Sequence, residues 1–313
     1  MEFILYYYTP SAAAAGIFVV LFGISTVLHL LQLVRTRTWF MIPFFIGGIL
    51  ETIGYVGRLL SSLESPDYST GSYAMQSALI LIAPAFLAAS IYMTLGRIIR
   101  MVQAEHYSVF KLKWVTKIFV AGDVLSFLMQ ASGAFFPSSL SLNAASLIAV
   151  GAGLMVSGSS DPTTGEHIII GGLFVQIIFF GFFIITALVF QMRLAKAPTS
   201  TSTELSHIWR RHMNALYISS ILIFVRSIVR VVEYLQGYDG YLMKHEAFIY
   251  VFDALLMFLA MEVLQFVHPS QVNCYLGRGD RYSEKVIKTQ KFMSVPVEME
   301  VSPRIVQRRS CLD

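Results

Sequence analysis

The sequence predicts an all-α membrane protein: a bundle of seven transmembrane helices, N-terminus outside and C-terminus cytoplasmic. Three observations carry this reading. The 313 residues are 56% hydrophobic and only 13% charged, where soluble domains carry about 25% charge. Seven apolar stretches are each long enough to cross roughly 30 Å of hydrocarbon as helices. Lysine and arginine gather in alternate connections, as the positive-inside rule requires.

The N-terminal residues 1–11 carry Glu2 where a cleaved signal needs a basic residue, so the first span is expected to serve as a signal anchor. That span covers 12–34. Arg35 and Arg37 close it and fix its inner end. The second, 40–62, carries the motif "ETIGYVGR" at 51–58. The third, 74–96, holds Pro84, which removes one backbone bond, kinks the helix and frees a carbonyl near Ile80. Arg97, Arg100, Lys111, Lys113 and Lys117 stand between it and the fourth span, 115–136. Residues 137–165 are read as an outer loop. Within them 140–157 is apolar but short, interrupted by Asn143 and Ser146, and an eighth span there would send the basic tail outside. The near-repeat of Gly133-Ala134 at Gly151-Ala152 marks 134–151 as an expected insertion. The fifth span, 166–191, is followed by Arg193, Lys196, Arg210 and Arg211. The sixth and seventh cover 213–235 and 246–267, completing a membrane domain at 12–268. The remaining 269–313 is polar and basic and is expected to be a disordered cytoplasmic tail. The outer connections carry Glu64, Asp67, Asp161, Glu166, Asp239 and Glu246 against a single Lys244.

The chemistry lies in the polar residues inside the spans. Each buried charge costs roughly 2.5–3.5 kcal/mol on insertion scales and therefore needs a partner or a wet cavity. Glu51 and Arg58 share one face of the second span, about 10 Å apart along the axis. The sixth span carries Arg226, Arg230 and Glu233, and the seventh Asp253 and Glu262. The directions of the helices pair Glu51 with Arg226, and Arg58 with Glu233 or Asp253. Arg230 and Glu233 stand three residues apart and can pair locally. These six (Glu51, Arg58, Arg226, Arg230, Glu233 and Asp253) are expected to line a polar cavity open to the outer leaflet, which binds or translocates a headgroup. Structural ion pairs that fix helix register are the alternative for any single pair. Asp123 and Glu262 lie in the inner third and are expected to form a gate or a proton-coupling pair. His29, Gln76, Gln130 and Gln176 add uncharged polarity. Gly47, Gly48, Gly54 and Gly57 suit close packing of the second helix.

Some classes are excluded. No Gly-Lys dipeptide exists, so there is no Walker loop, and no GxSxG elbow appears. His207 and His212 lack a useful ligand spacing, and no metal set can be assembled from His29, Asp123 and His268. The chain is therefore expected to be no enzyme and to need no cofactor or metal. It shows no nucleic-acid signature. Its expected partners are membrane lipids or amphiphilic small molecules. A receptor of lipid or porphyrin ligands is the alternative, although the ends "LGRIIR" and "LQFVHP" match neither receptor motif, DRY or NPxxY. An intramembrane lipid hydrolase is a weaker one.

An ordered set of segments carries a family resemblance: "YTPS" (8–11), His29, "ETIGYVGR" (51–58), "LIAPAFLAASIYMTLGRII" (81–99), "DVLSFLMQASG" (123–133), "GGLFVQ" (171–176), "RSIVRVVEY" (226–234) and "HEAFIYVFDALLM" (245–257) with His268-Pro269. Together they resemble the fungal lipid-translocating exporter family, the aminocholesterol-resistance-like seven-span proteins, over residues 8–269. The resemblance implies a plasma-membrane protein that exports amphiphiles or confers resistance to them. Sphingoid long-chain bases, phospholipids, amphiphilic toxins and porphyrins are the substrate classes it suggests. The inserted outer loop is the departure from the family pattern.

Overall fold

The architecture is given by a computed structural model that describes residues 8–64, 68–135, 162–236 and 240–276. No strand occurs among them. Seven long helices make the body: α1 (Ala12–Thr36), α2 (Ile42–Leu63), α3 (Thr70–Met101), α4 (Leu112–Phe135), α5 (Pro162–Lys196), α6 (Ser206–Leu235) and α7 (Leu255–Phe266). A short helix, α8 (Ser270–Tyr275), follows. Helix α7 is entered through Ala247–Ile249 and a π-helical turn, Tyr250–Ala254.

Six stretches among the described residues are long and apolar enough to cross a membrane; they contain α1, α2, α3, α5, α6 and the segment Ala247–Tyr275. Consecutive helices pack side by side, and α1 also touches α7, so the chain closes on itself as a ring. Helix α3 reaches across this ring to α6. The distribution of side chains is that of a protein dissolved in lipid. Ile17, Ile24, Ile178, Ile185 and Ile221 are more than half exposed on the rim, while Glu51, Arg58, Arg226 and Asp253 are buried.

Local sequence explains the ends of the elements. Ser11 caps α1 by accepting from the Ala14 N–H, and Arg37 stops it in a left-handed conformation at φ 50°. Ser69 accepts from Gly71 and Ser72 at the start of α3. Pro43 in the first turn of α2 sits where no N–H partner is needed.

The small residues of α2 set its distance from α3. A Cβ at Gly54 would lie 2.7 Å from Ile80 Cγ1, and one at Gly47 would lie 2.8 Å from Leu87 Cδ2. A larger residue at either position requires the facing Ile80 or Leu87 side chain, or the helix that carries it, to give way.

One sequence expectation changes here. Residues 270–275, assigned to the tail by composition, form α8, which docks on α3. There Arg97 Nη1 donates to Asn273 Oδ1 at 2.6 Å while its guanidinium lies 3.8 Å above the Phe40 ring. The apolar Val272 and Leu276 fall on one face and explain the docking. The expected insertion at 134–151 and the tail beyond 276 lie outside the described residues apart from Ala134 and Phe135.

Candidate functional site: a buried charge network

The intramembrane charges assemble in two tiers. The first gathers around Arg58 on α2, only 1% exposed. Its Nη2 donates to Glu246 Oε1 at 2.9 Å and to the Tyr8 hydroxyl at 2.8 Å, and its Nε donates to the Tyr250 hydroxyl at 3.0 Å. Glu246 also accepts the Ser11 N–H at 2.9 Å and the Tyr250 hydroxyl at 3.0 Å. One carboxylate therefore ties the cap of α1, the end of α2 and the entry of α7 together. The partner of Arg58 is thus Glu246, not Glu233 or Asp253. The reason is register. Glu246 and Asp253 are two turns apart on the antiparallel seventh segment, as Glu51 and Arg58 are on α2, so Arg58 meets the outer acid.

The second tier centres on Asp253, which the π-turn directs at α6. Its two oxygens are divided between two arginines: Oδ1 takes Arg226 Nε and Oδ2 takes Arg230 Nη2. Arg230 Nη1 donates to Glu233 at 3.0 Å, the local pair expected from their spacing. Arg226 Nη2 donates to the Ile80 carbonyl at 2.8 Å. Ile80 is the residue four before Pro84, whose missing N–H frees that carbonyl. The proline of α3 thereby creates an acceptor that an arginine of α6 uses.

Glu51 stands apart. Its electrostatic neighbours are Asp253, Arg226 and Arg230, yet Arg226 gives its bonds to Asp253 and Ile80. Neither carboxyl oxygen of Glu51 has a hydrogen-bond partner among the described residues, and the residue is 0% exposed. In place of the expected Glu51–Arg226 bond, one carboxylate, Asp253, serves both guanidinium groups, one oxygen to each. Five buried hydroxyls among the described residues share this condition with Glu51: Ser25 and Thr26 on α1, Tyr55 on α2, and Tyr217 and Ser220 on α6. Gly48, Glu51 and Tyr55 fall on one face of α2. Thr26 lies against Gly48, and the Tyr55 ring stacks on Phe22 at 5.3 Å.

Around Asp253 the described residues leave little room. The space bounded by Arg226, Arg230, Glu233, Phe248, Phe252 and Asp253 measures about 10 Å³, at the lower limit of what one water needs. Paired charges draw their helices together, and Phe248 and Phe252 stack over them with ring centroids 6.0 Å apart. At this network the bundle is closed.

The inner residues do not form a cluster. Asp123 on α4 accepts from the Tyr92 hydroxyl of α3 at 2.8 Å. Glu262 is half-buried on α7, with no hydrogen bond or ion pair among the described residues. The structure thus joins Asp123 to the Tyr92 hydroxyl and not to Glu262. His29 Nε2 bonds the Met261 carbonyl at 3.1 Å, joining α1 to α7. Gln130 Nε2 donates to Ser126 Oγ at 2.6 Å and to Gln176 Oε1 at 3.2 Å, joining α4 to α5. Gln76 is buried on α3. Sequence reasoning missed Glu246, Tyr250, Tyr8 and Tyr92 as partners. For the first two a signal was available, since Glu246, Tyr250 and Asp253 recur at helical spacing on one face of "HEAFIYVFD".

Comparison with known proteins places this architecture. The family described as RTA1 like protein matches residues 44–274. Protoporphyrin uptake protein 1 of Saccharomyces cerevisiae is 39% identical, covering 83% of this chain and 90% of its own. Protein RTA1 of the same yeast is 34% identical over 85% of both chains. The yeast sphingoid long-chain base transporter RSB1 is 27% identical over 80% of this chain and 69% of its own. No solved structure matches. With apolar spans, buried charge and a match over most of its length, the chain is a multi-pass integral membrane protein that belongs to the RTA1-like family.

Proposed function

We propose that this protein moves amphiphilic molecules with a polar, amine-bearing head across or out of a membrane, with no ATPase of its own. The observation that carries the proposal is the unfilled bonding capacity buried inside the bundle. Glu51 and the hydroxyls of Ser25, Thr26, Tyr55 and Ser220 are all buried without partners among the described residues. Each such group costs about 1–3 kcal/mol, and more where it is ionised. A primary ammonium with adjacent hydroxyls, the head of a sphingoid base, supplies the donors that a carboxyl and hydroxyls of this kind accept. The name of the RSB1 relative supports that substrate class, and that of protoporphyrin uptake protein 1 supports a broader amphiphile range.

The roles divide accordingly. Asp253 is fully engaged by Arg226 and Arg230 and serves as the lock that joins α6 to α7. Glu51 has free acceptors and is the headgroup site. The closed bundle is one end of the cycle, and access requires α6 and α7 to part from α2. Helix α4, with Asp123, is the seventh span of the transporting bundle. Its Arg- and Lys-rich connections face the cytoplasm by the positive-inside rule, at the plasma membrane.

Purified full-length protein in liposomes, assayed with a fluorescent long-chain base and with the matching alcohol that lacks the amine, tests the reading. Protein-dependent flux of the base and little flux of the alcohol is the expected result. A cleaved lipid product would instead identify a hydrolase, and saturable binding without flux would identify a receptor.

A further inference from the structure

A roomy cleft lies away from the buried network. It measures about 640 Å³ and opens between α6 and α7 at their Arg-rich end. Two walls differ in character. One carries His207, Arg210, Arg211 and Asn214 from the first turns of α6; the other is apolar, with Ile218 from α6 and Val263, Phe266 and Val267 from the end of α7. No lining residue is acidic. Neither arginine forms an ion pair among the described residues; Arg210 lies 5.6 Å from the centre of the Trp209 ring, and Arg211 is half-buried. The apolar wall runs out onto the lipid face, where Phe266 is 77% exposed and Ile218 49%.

We infer that this cleft binds a membrane lipid with an anionic phosphate headgroup, held by Arg210 and Arg211 with its acyl chains along Ile218 and Phe266. Two guanidinium forks suit phosphate oxygens in a bidentate manner, and nothing in the lining neutralises them. The same lining repels an ammonium, so the site is not the amine site proposed at Glu51. The lateral opening onto apolar surface selects a lipid rather than a soluble phosphate. With the Arg-rich end in the cytoplasm, the donor is the inner leaflet, where anionic lipids attract basic segments. A lipid wedged between α6 and α7 would bear on the two helices that Asp253 locks together.

The test uses full-length protein in detergent with phosphatidic acid, phosphatidylcholine or inorganic phosphate at equal concentration, read by native mass spectrometry. Phosphatidic acid should be retained about tenfold or more over phosphatidylcholine, the effect of one charge-assisted hydrogen bond. The double variant Arg210→Gln/Arg211→Gln should lose this preference, and Arg193→Gln/Lys196→Gln on α5 should keep it. Ile218→Trp, which fills the cleft without touching charge, should also lose bound lipid and guards against misfolding of the double variant. Glu51→Gln should retain lipid normally, which separates this inference from the transport reading. Equal retention of both lipids, equal loss in the α5 variant, or displacement of the lipid by equimolar inorganic phosphate would overturn it.

Discussion

Replacing Asp253 by asparagine isolates the role of the lock. The carboxylate divides its two oxygens between Arg226 and Arg230. An amide keeps one oxygen and turns an NH2 toward the other guanidinium, donor against donor. Removing one partner of a buried ion pair costs about 3–5 kcal/mol. The lower end applies here, because Arg226 keeps the Ile80 carbonyl at 2.8 Å and Arg230 keeps Glu233 at 3.0 Å. A loss of about 3 kcal/mol corresponds to roughly 5 °C in the melting midpoint of a chain this long. The assay is thermal unfolding of purified protein in detergent at one fixed scan rate, since unfolding of such proteins is commonly irreversible. A variant melting within about 2 °C of the parent would show that the two arginines do not depend on Asp253, and the division of roles between Asp253 and Glu51 would fail.

Further substitutions probe separate joints. Arg58→Lys keeps the charge but not the fork that reaches Tyr8, Glu246 and Tyr250 together; it should lower stability by about 1–3 kcal/mol, and an unchanged melt would contradict that geometry. Gly54→Leu places side-chain atoms where a Cβ already comes within 2.7 Å of Ile80, so it should cost about 1–3 kcal/mol and reduce the folded fraction on size exclusion. Pro84→Ala restores an N–H that shares the Ile80 carbonyl with Arg226; the arginine's bond weakens, and flux should change more than the melting midpoint does. Similar flux and a large stability loss would assign Pro84 to packing alone.

The sequence made the scaffold readable because lipid imposes simple demands. Apolar length marked six of the spans, the glycines of α2 marked its close approach to α3, and Pro84 marked the carbonyl that Arg226 takes. Arg230 and Glu233 were readable because their spacing lies within one helix. Partners across helices were harder. Arg58 has acids at two heights on the antiparallel seventh segment, and a shift of two turns decides between Glu246 and Asp253. The π-turn at Tyr250–Ala254 has no compositional mark, yet it directs Asp253 at both arginines. Asp123 looked like half of a gate because depth alone could not reveal Tyr92, a residue with no charge to count. Closure of the polar interior was equally hidden, since burial depends on how the helices pack and not on which residues they carry.

The central claim is that Glu51, and not the locked Asp253, receives the amine of the cargo. The most direct measurement is flux of a fluorescent long-chain base through liposomes containing Glu51→Gln protein. The substitution conserves shape and removes no existing bond, so the melting midpoint should stay near that of the parent while amine-dependent flux falls at least about tenfold, the effect of losing one charge-assisted hydrogen bond. Parental flux from a stably folded Glu51→Gln protein would contradict the account.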